Sequence, residues 1–203
     1  YAKDTYVCLG EGTSDSVAYS SDGISWTGIG NSLLTSGFSV DYGNGRFIAG
    51  GEGNHTLIYS LDGVNWTAYT TSLFTTECRS VGYAGTTWYI CGDTQGATVY
   101  ISEDGIVWNL QSGIDFHLTS VDYRYLHSVR FPAKHMVAVG DDSSHTISWS
   151  SNGTTWNDVS GSGDMFLEGK VACYNGKYWI AGGSKGIPGG NIGSISNKWE
   201  FEN

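Results

Sequence analysis

Proline is nearly absent, with 2 in 203 residues, and charge is thin: 15% of the chain is Asp, Glu, Lys or Arg, against roughly 25% in an ordinary soluble domain. Polarity must come from Ser, Thr, Asn and Gly in turns. Only 10 Lys and Arg stand against 20 Asp and Glu, for a net charge of -10. So few scattered cations exclude a phosphate-tracking nucleic-acid binder, which needs clustered basic residues to displace counterions. No run of 18 apolar residues and no charged-then-apolar leader occurs, so neither membrane insertion nor a signal peptide is expected. The four cysteines (Cys8, Cys78, Cys91, Cys173) show no CxxC spacing, which argues against zinc. They sit in runs such as "YVCLG" and "WYICG" and are expected to be buried free thiols. No segment sustains a 3.6-residue apolar period, so helices are not the main element. The chain opens on Tyr1 and not on Met, and is expected to be a processed product or part of a larger polypeptide.

What is present points to strands. Glycine is abundant at 30 residues, and 8 Trp, 13 Tyr and 7 Phe suit pleated, half-buried surfaces. The chain is also a repeat, the first thing to seek. "YSSDGISW" (19 to 26) returns as "YSLDGVNW" (59 to 66), "YISEDGIVW" (100 to 108) and "WSSNGTTW" (149 to 156), with a degenerate "SISNKW" ending at Trp199. The tryptophans Trp26, Trp66, Trp108, Trp156 and Trp199 are spaced by 40, 42, 48 and 43 residues. A second motif precedes each later box: "SVDYGNGRFIAGGEG" (39 to 53), "SVGYAGTTWYICGD" (80 to 93), "SVRFPAKHMVAVGD" (128 to 141) and "KVACYNGKYWIAGG" (170 to 183). Each reads as a strand, a tight turn and a second strand ending in glycine. In "DYGNGRF" the Asn-Gly pair tolerates the positive φ that short hairpins demand.

Each unit therefore holds four strands, through "SVDY", "RFIAGG", "HTLIYS" and "NWTAY". Four short strands at a period of about 42 residues are the signature of a propeller blade. The expected fold is all-β, a propeller of about five four-stranded antiparallel blades, with boundaries near 1-32, 33-72, 73-118, 119-165 and 166-203. The first unit begins at its second strand, "TYVCLGEG", so blade 1 is expected to lack its innermost strand and to present an unpaired edge. Upstream residues or a partner chain would supply it.

The boxes resemble the Asp-box, or BNR, repeat of sialidase-like propellers. The pattern Ser-x-Asp-Gly-x-x-Trp is carried by Ser20, Asp22, Gly23 and Trp26, by Ser60, Asp62, Gly63 and Trp66, and by Ser102, Asp104, Gly105 and Trp108. Ser150, Asn152, Gly153 and Trp156 form a fourth box with Asn in place of the acid. The resemblance implies a turn between a blade's third and fourth strands, on the face opposite the ligand site. Residue chemistry agrees: the acid can accept backbone N–H groups, the Gly permits the turn, and the Trp fills the apolar layer beneath. No EF-hand-like ladder surrounds any box, so no cofactor is expected, a structural calcium ion being the one metal left open. Catalytic sialidases, by the same resemblance, need an arginine triad, a tyrosine nucleophile activated by a glutamate, and an acid. Only Arg46, Arg79, Arg124 and Arg130 occur, at positions that do not match the triad, so the chain is expected not to be an enzyme.

Candidate ligand residues lie at the ends of the second strands. Gly10-Glu11, Gly51-Glu52, Gly92-Asp93 and Gly140-Asp141 recur, with Gly183-Ser184 breaking the series. Equivalent blades would place Glu11, Glu52, Asp93 and Asp141 around one face, as acceptors for sugar hydroxyls or a cation, or simply as a solvated rim. His55 and His145 share a repeat position and lack partners at metal-ligand spacing, so no metal ligand is named. The long third interval marks an insertion of about eight residues within "HLTSVDYRYLHSV" (117 to 129), where Tyr123, Arg124, Tyr125 and His127 could stack on sugars or anchor an interface. Aligning "SVRF" with the other strand starts puts the extra residues on the ligand side. Asn54, Asn65 and Asn152 head N-x-S/T sequons. The expectation is a binding or display module on an extracellular or virion surface, as in viral tail fibres with similar repeats, with a glycan or surface receptor as partner. Neighbouring protein chains in a larger assembly are the alternative, and a glycoside hydrolase is a third.

Overall fold

A computed structural model describes residues 1–84, 86–93, 97–111, 126–130, 136–140, 145–151, 155–165, 167–174, 179–185 and 193–199. Blade 1 holds β1 (Tyr6–Leu9), β2 (Val17–Ser20) and β3 (Thr27–Gly28). Blade 2 holds β4 (Ser36–Gly43), β5 (Arg46–Glu52), β6 (Leu57–Ser60) and β7 (Trp66–Ala68). Blade 3 follows with β8 (Glu77–Ala84), β9 (Thr87–Asp93), β10 (Ala97–Ser102) and β11 (Asn109–Gln111). Blade 4 is β12 (Leu126–Arg130), β13 (Met136–Gly140), β14 (Ile147–Ser150) and β15 (Asn157–Asp158); a single helical turn, α1 (Ser162–Met165), leads to blade 5. There the described strands are β16 (Glu168–Tyr174), β17 (Trp179–Lys185) and β18 (Gly193–Trp199). Among the described residues every pairing is antiparallel and, within a blade, sequential; β5 also pairs β8 at Glu52 and Glu77. As expected, blade 1 has three strands and begins at the equivalent of a second strand.

The core lies between blades. Strand alternation sends one face of each blade forward and the other back. Val7, Leu9 and Val17 of blade 1 meet Ala49, Ile58 and Trp66 of blade 2; Ile48, Leu57 and Tyr59 of blade 2 meet Trp88, Ile90 and Trp108 of blade 3. Val137, Val139 and Ile147 of blade 4 meet Ala172 and Ala181 of blade 5. The box tryptophans Trp66 and Trp108 thus pack toward the preceding blade. Among the described residues nothing covers this face of blade 1: Trp26 is 45% exposed and Tyr6 38% exposed, while Phe47 and Trp88, at the Tyr6 position, are 3% and 0% exposed. The expectation that every box Trp fills an apolar layer is corrected at Trp26 for this reason. The same face carries Cys8, an exposed free thiol instead of a buried one; Cys78 and Cys91 are buried as expected.

Two local devices recur. The β4–β5 turn places Asn44 at φ 44° and Gly45 at φ 79°, both positive as a two-residue type I′ hairpin requires. An aromatic from the inner strand stacks on one from the second: Tyr42 on Phe47 at 4.8 Å and Tyr83 on Trp88 at 4.9 Å between centroids.

Candidate functional site

The boxes are self-contained turns. In the second box the Ser60 hydroxyl donates to Asp62 Oδ1 (2.9 Å) and accepts the Gly63 N–H (2.8 Å), while the Val64 and Asn65 N–H groups donate to the same carboxylate oxygen, both at 2.8 Å. The first and third boxes repeat this around Asp22 and Asp104. These donors hold the Asp22 carboxyl at about 2, the Ser25 and Ile24 N–H groups acting most, and the Asn65 N–H leads those that lower Asp62. Carboxylates so occupied have little left for a ligand. In the fourth box Ser150 is buried and Trp156 half-buried; Asn152 and Gly153 lie outside the described residues. The box follows the third strand at the end where Ser60 pairs with Phe47, so it sits opposite Glu52 at the far end of β5.

That far end gathers acids. Backbone register links Glu11 to Ser36, Ser36 to Glu52, Glu52 to Glu77 and Glu77 to Asp93, one row across three blades. Glu52 Oε1 accepts the Ser36 hydroxyl at 3.0 Å. Glu77 is 2% exposed and pairs with Arg79 Nε at 2.6 Å. Sequence reasoning named Glu11, Glu52 and Asp93 but missed Glu77, which begins an inner strand instead of ending a second one. Asp141 lies outside the described residues.

A second row runs beside the first. The register of every complete inner strand slips by one residue near its start, between Gly37 and Ser39, Cys78 and Ser80, Leu126 and Ser128, and Gly169 and Val171. The extra residues at these bulges are Phe38, Arg79, His127 and Lys170. Bulges re-aim side chains and recur near binding sites; here the Arg79 guanidinium lies 5.3 Å from the Phe38 ring centroid. His127, read as part of an insertion, holds a repeated position instead. Tyr123, Arg124 and Tyr125 lie outside the described residues. The strand β12 carries Ser128, Val129 and Arg130 opposite Val139, Ala138 and Val137, so "SVRF" is the strand start that matches "SVDY" of blade 2.

No protein-family model matches the chain, and no curated sequence matches it. Solved structures do. YCF48, in a structure described as bound to a D1 peptide, superposes with a TM-score of 0.56 at 17% identity over 89% of this chain and 58% of that one. The computationally designed Ika8 protein superposes at 0.51 and 12% identity, over 82% of this chain and 52% of that one. The fold is that of a β-propeller. This propeller chain spans a little over half the length of either structure.

The remaining candidates separate in space. Arg46 leaves the β4–β5 turn at the box end, while Arg79 sits in the bulge at the acidic end, so these two arginines do not converge. Arg46 stacks over Tyr59 at 5.8 Å and lines a cleft of about 490 Å³ with Leu61, Tyr69, Ile106 and Trp108. No sequence motif announced this cleft, because its walls come from two blades. Burial there pushes the Tyr69 phenol up to about 12, and its hydroxyl donates to the Gly105 carbonyl, which in the earlier boxes accepts the Trp indole instead. His55 is exposed, and His145 Nδ1 lies 3.8 Å from Asp158 Oδ2. Asn54 and Asn65 donate to Ser32 O and Asp62 Oδ2.

Proposed function

We propose that this propeller is a non-catalytic binding module whose acidic end engages a polypeptide segment carrying basic side chains, in a protein displayed on an extracellular or virion surface. The observation that carries the reading is the row Glu11–Ser36–Glu52–Glu77–Asp93, laid side by side by backbone register. Glu52 and Glu77 are already engaged with Ser36 and Arg79. Arg79 neutralises Glu77, so the field offered to a partner comes from Glu11 and Glu52, and a field in place of free acceptors favours a charged polypeptide over a sugar's hydroxyls. The bulge row adds Phe38 and Arg79, an apolar and a bidentate group of the kind interfaces use. The propeller YCF48 was solved with a peptide, which supports a polypeptide partner. The separation of Arg46 from Arg79, and the occupied box acids, support the absence of catalysis.

Fluorescence anisotropy with a labelled oligoarginine peptide at low and high salt tests this. Binding should weaken several-fold on raising salt and again in Glu11→Gln and Glu52→Gln chains, each removing about 0.2–1 kcal/mol of partly screened attraction. Binding indifferent to salt and to both substitutions, or none, refutes the reading.

A further inference from the structure

The box ends of blades 2 and 3 each border a cleft, and the first departs from the repeat. Backbone register fixes the equivalent positions. Tyr69 donates its N–H to the Leu57 carbonyl, as Ile29 does to Val17 and Val159 to Ile147, and Gln111 pairs with Val99 at the same place in blade 3. Among the described residues only blade 2 therefore carries a hydroxyl there. That hydroxyl takes the Gly105 carbonyl at 2.5 Å. In the first two boxes the corresponding carbonyls, of Gly23 and Gly63, accept the Trp26 and Trp66 indole N–H groups at 3.3 and 3.1 Å. Trp108 loses that acceptor, and its Nε1 is buried without a partner.

Arg46 lines the same cleft between blades 2 and 3, and its Nε is likewise buried and unpartnered. The side chain of Asn44 ties the β4–β5 turn to blade 3 by donating to the Glu103 carbonyl at 3.4 Å, which carries Arg46 toward the third box. Among the described residues no carboxylate pairs with Arg46; its guanidinium lies over the Tyr59 ring instead. The rest of the wall is largely apolar: Tyr59 and Trp108, with Leu61 and Ile106 at the lips, 60% and 58% exposed. One blade on, register puts Thr87, Ile101 and Glu103 where blade 2 has Arg46, Tyr59 and Leu61. They border a smaller cleft of about 250 Å³ lined by Glu103 and Asp104 and by no cation. Blade 1 has Thr5 and Ser21 at the Arg46 and Leu61 positions, so neither the cation nor the apolar lip belongs to the repeat.

We propose that the cleft between blades 2 and 3 binds a small organic carboxylate with a flat apolar body. Its two unpartnered groups can only donate, so the occupant must bring acceptors, and buried donors left without them are costly. One planar guanidinium matches one carboxylate. A dianionic phosphate would have a single cation to offset it, with Glu103 and Asp104 on the neighbouring wall. The Tyr59 and Trp108 rings, with Leu61 and Ile106, suit an aromatic body, and a volume of about 490 Å³ is that of a small-molecule pocket. The cleft lies at the box end, away from the acidic row, and takes its ligand whether or not that row binds a partner.

The test titrates naphthoate into the full chain and follows the indole N–H resonances by NMR. Naphthamide keeps the body without the charge, and acetate the charge without the body. The expected result is a saturable shift of the Trp108 indole with Trp26 and Trp66 unmoved. Naphthamide should bind at least about tenfold more weakly, the worth of a hydrogen bond to a charged group, and acetate should not saturate the shift. Arg46→Gln should weaken naphthoate by a similar factor. Leu61→Glu, which copies the blade 3 residue at an exposed position, should weaken it severalfold and leave the fold intact; if Arg46→Gln does not fold, this variant and naphthamide decide. No saturable shift of Trp108, equal binding of naphthamide, or naphthoate binding unchanged in the folded variants each overturns the proposal.

Discussion

Replacing one glycine with alanine in two equivalent places should give opposite results. Gly51 is the next-to-last residue of β5 and Gly10 directly follows β1, at equivalent positions of blades 2 and 1, and neither has a positive φ. At Gly51 a Cβ would sit 2.1 Å from the Ser36 carbonyl and 3.1 Å from the Gly37 Cα. Backbone cannot rotate away, so β4 must shift, at about 1–3 kcal/mol for an overpacked site. For a chain of this size that lowers the melting temperature by about 2–12 °C, at about 2–4 °C per kcal/mol. Gly10→Ala meets no atom within 4 Å, and reduced freedom of the unfolded chain stabilises it by up to about 1 kcal/mol. The measurement is thermal and urea unfolding of both variants beside the parent. Gly10→Ala as destabilising as Gly51→Ala would refute the reasoning, since it would mean that the space around Gly10 is not open.

Other outcomes follow from the same geometry. Ser60→Ala strips the Gly63 N–H of its acceptor at a fully buried position; it should cost about 1–3 kcal/mol, read as a lower urea midpoint. The box acids should make the fold acid-sensitive: Asp22 is held at about 2 against an ordinary value of 3.8, and Asp62 and Asp104 are lowered too. Depressed folded values mean that the contribution is complete above about pH 4 and is lost as pH falls toward 2. An Asp62→Asn chain should unfold with a shallower dependence on pH across that window. Trp66→Ala should cost clearly more than Trp26→Ala, since Trp66 packs into the core between blades 1 and 2 and Trp26 is already 45% exposed; equal melting temperatures would contradict the packing direction.

The boxes were legible from residue order because their chemistry is local. Ser60, Asp62, Gly63 and the next two N–H groups satisfy one another within a few residues, and a repeat at a steady interval then locates the blades and shows that the first starts late. Other features were hidden. Glu77 belongs with Glu11 and Glu52 only because β8 meets β5 there, and its own motif does not resemble theirs. Phe38, Arg79, His127 and Lys170 form a set only through the slipped registers. The Lys3–Asp4 turn carries neither Gly nor Asn, so nothing in its composition announced a positive-φ hairpin.

Sequence by itself determined the strand period and the turn chemistry, because these depend on hydrogen bonds and alternation spanning a few residues. Tertiary structure decided which acids share a row, which face of blade 1 leaves Tyr6, Cys8 and Trp26 exposed, and that Lys3 and Asp4 make a tight turn with Tyr1 against Tyr6. The first two depend on neighbours about one blade away along the chain, and register between strands, not order within them, sets who those neighbours are.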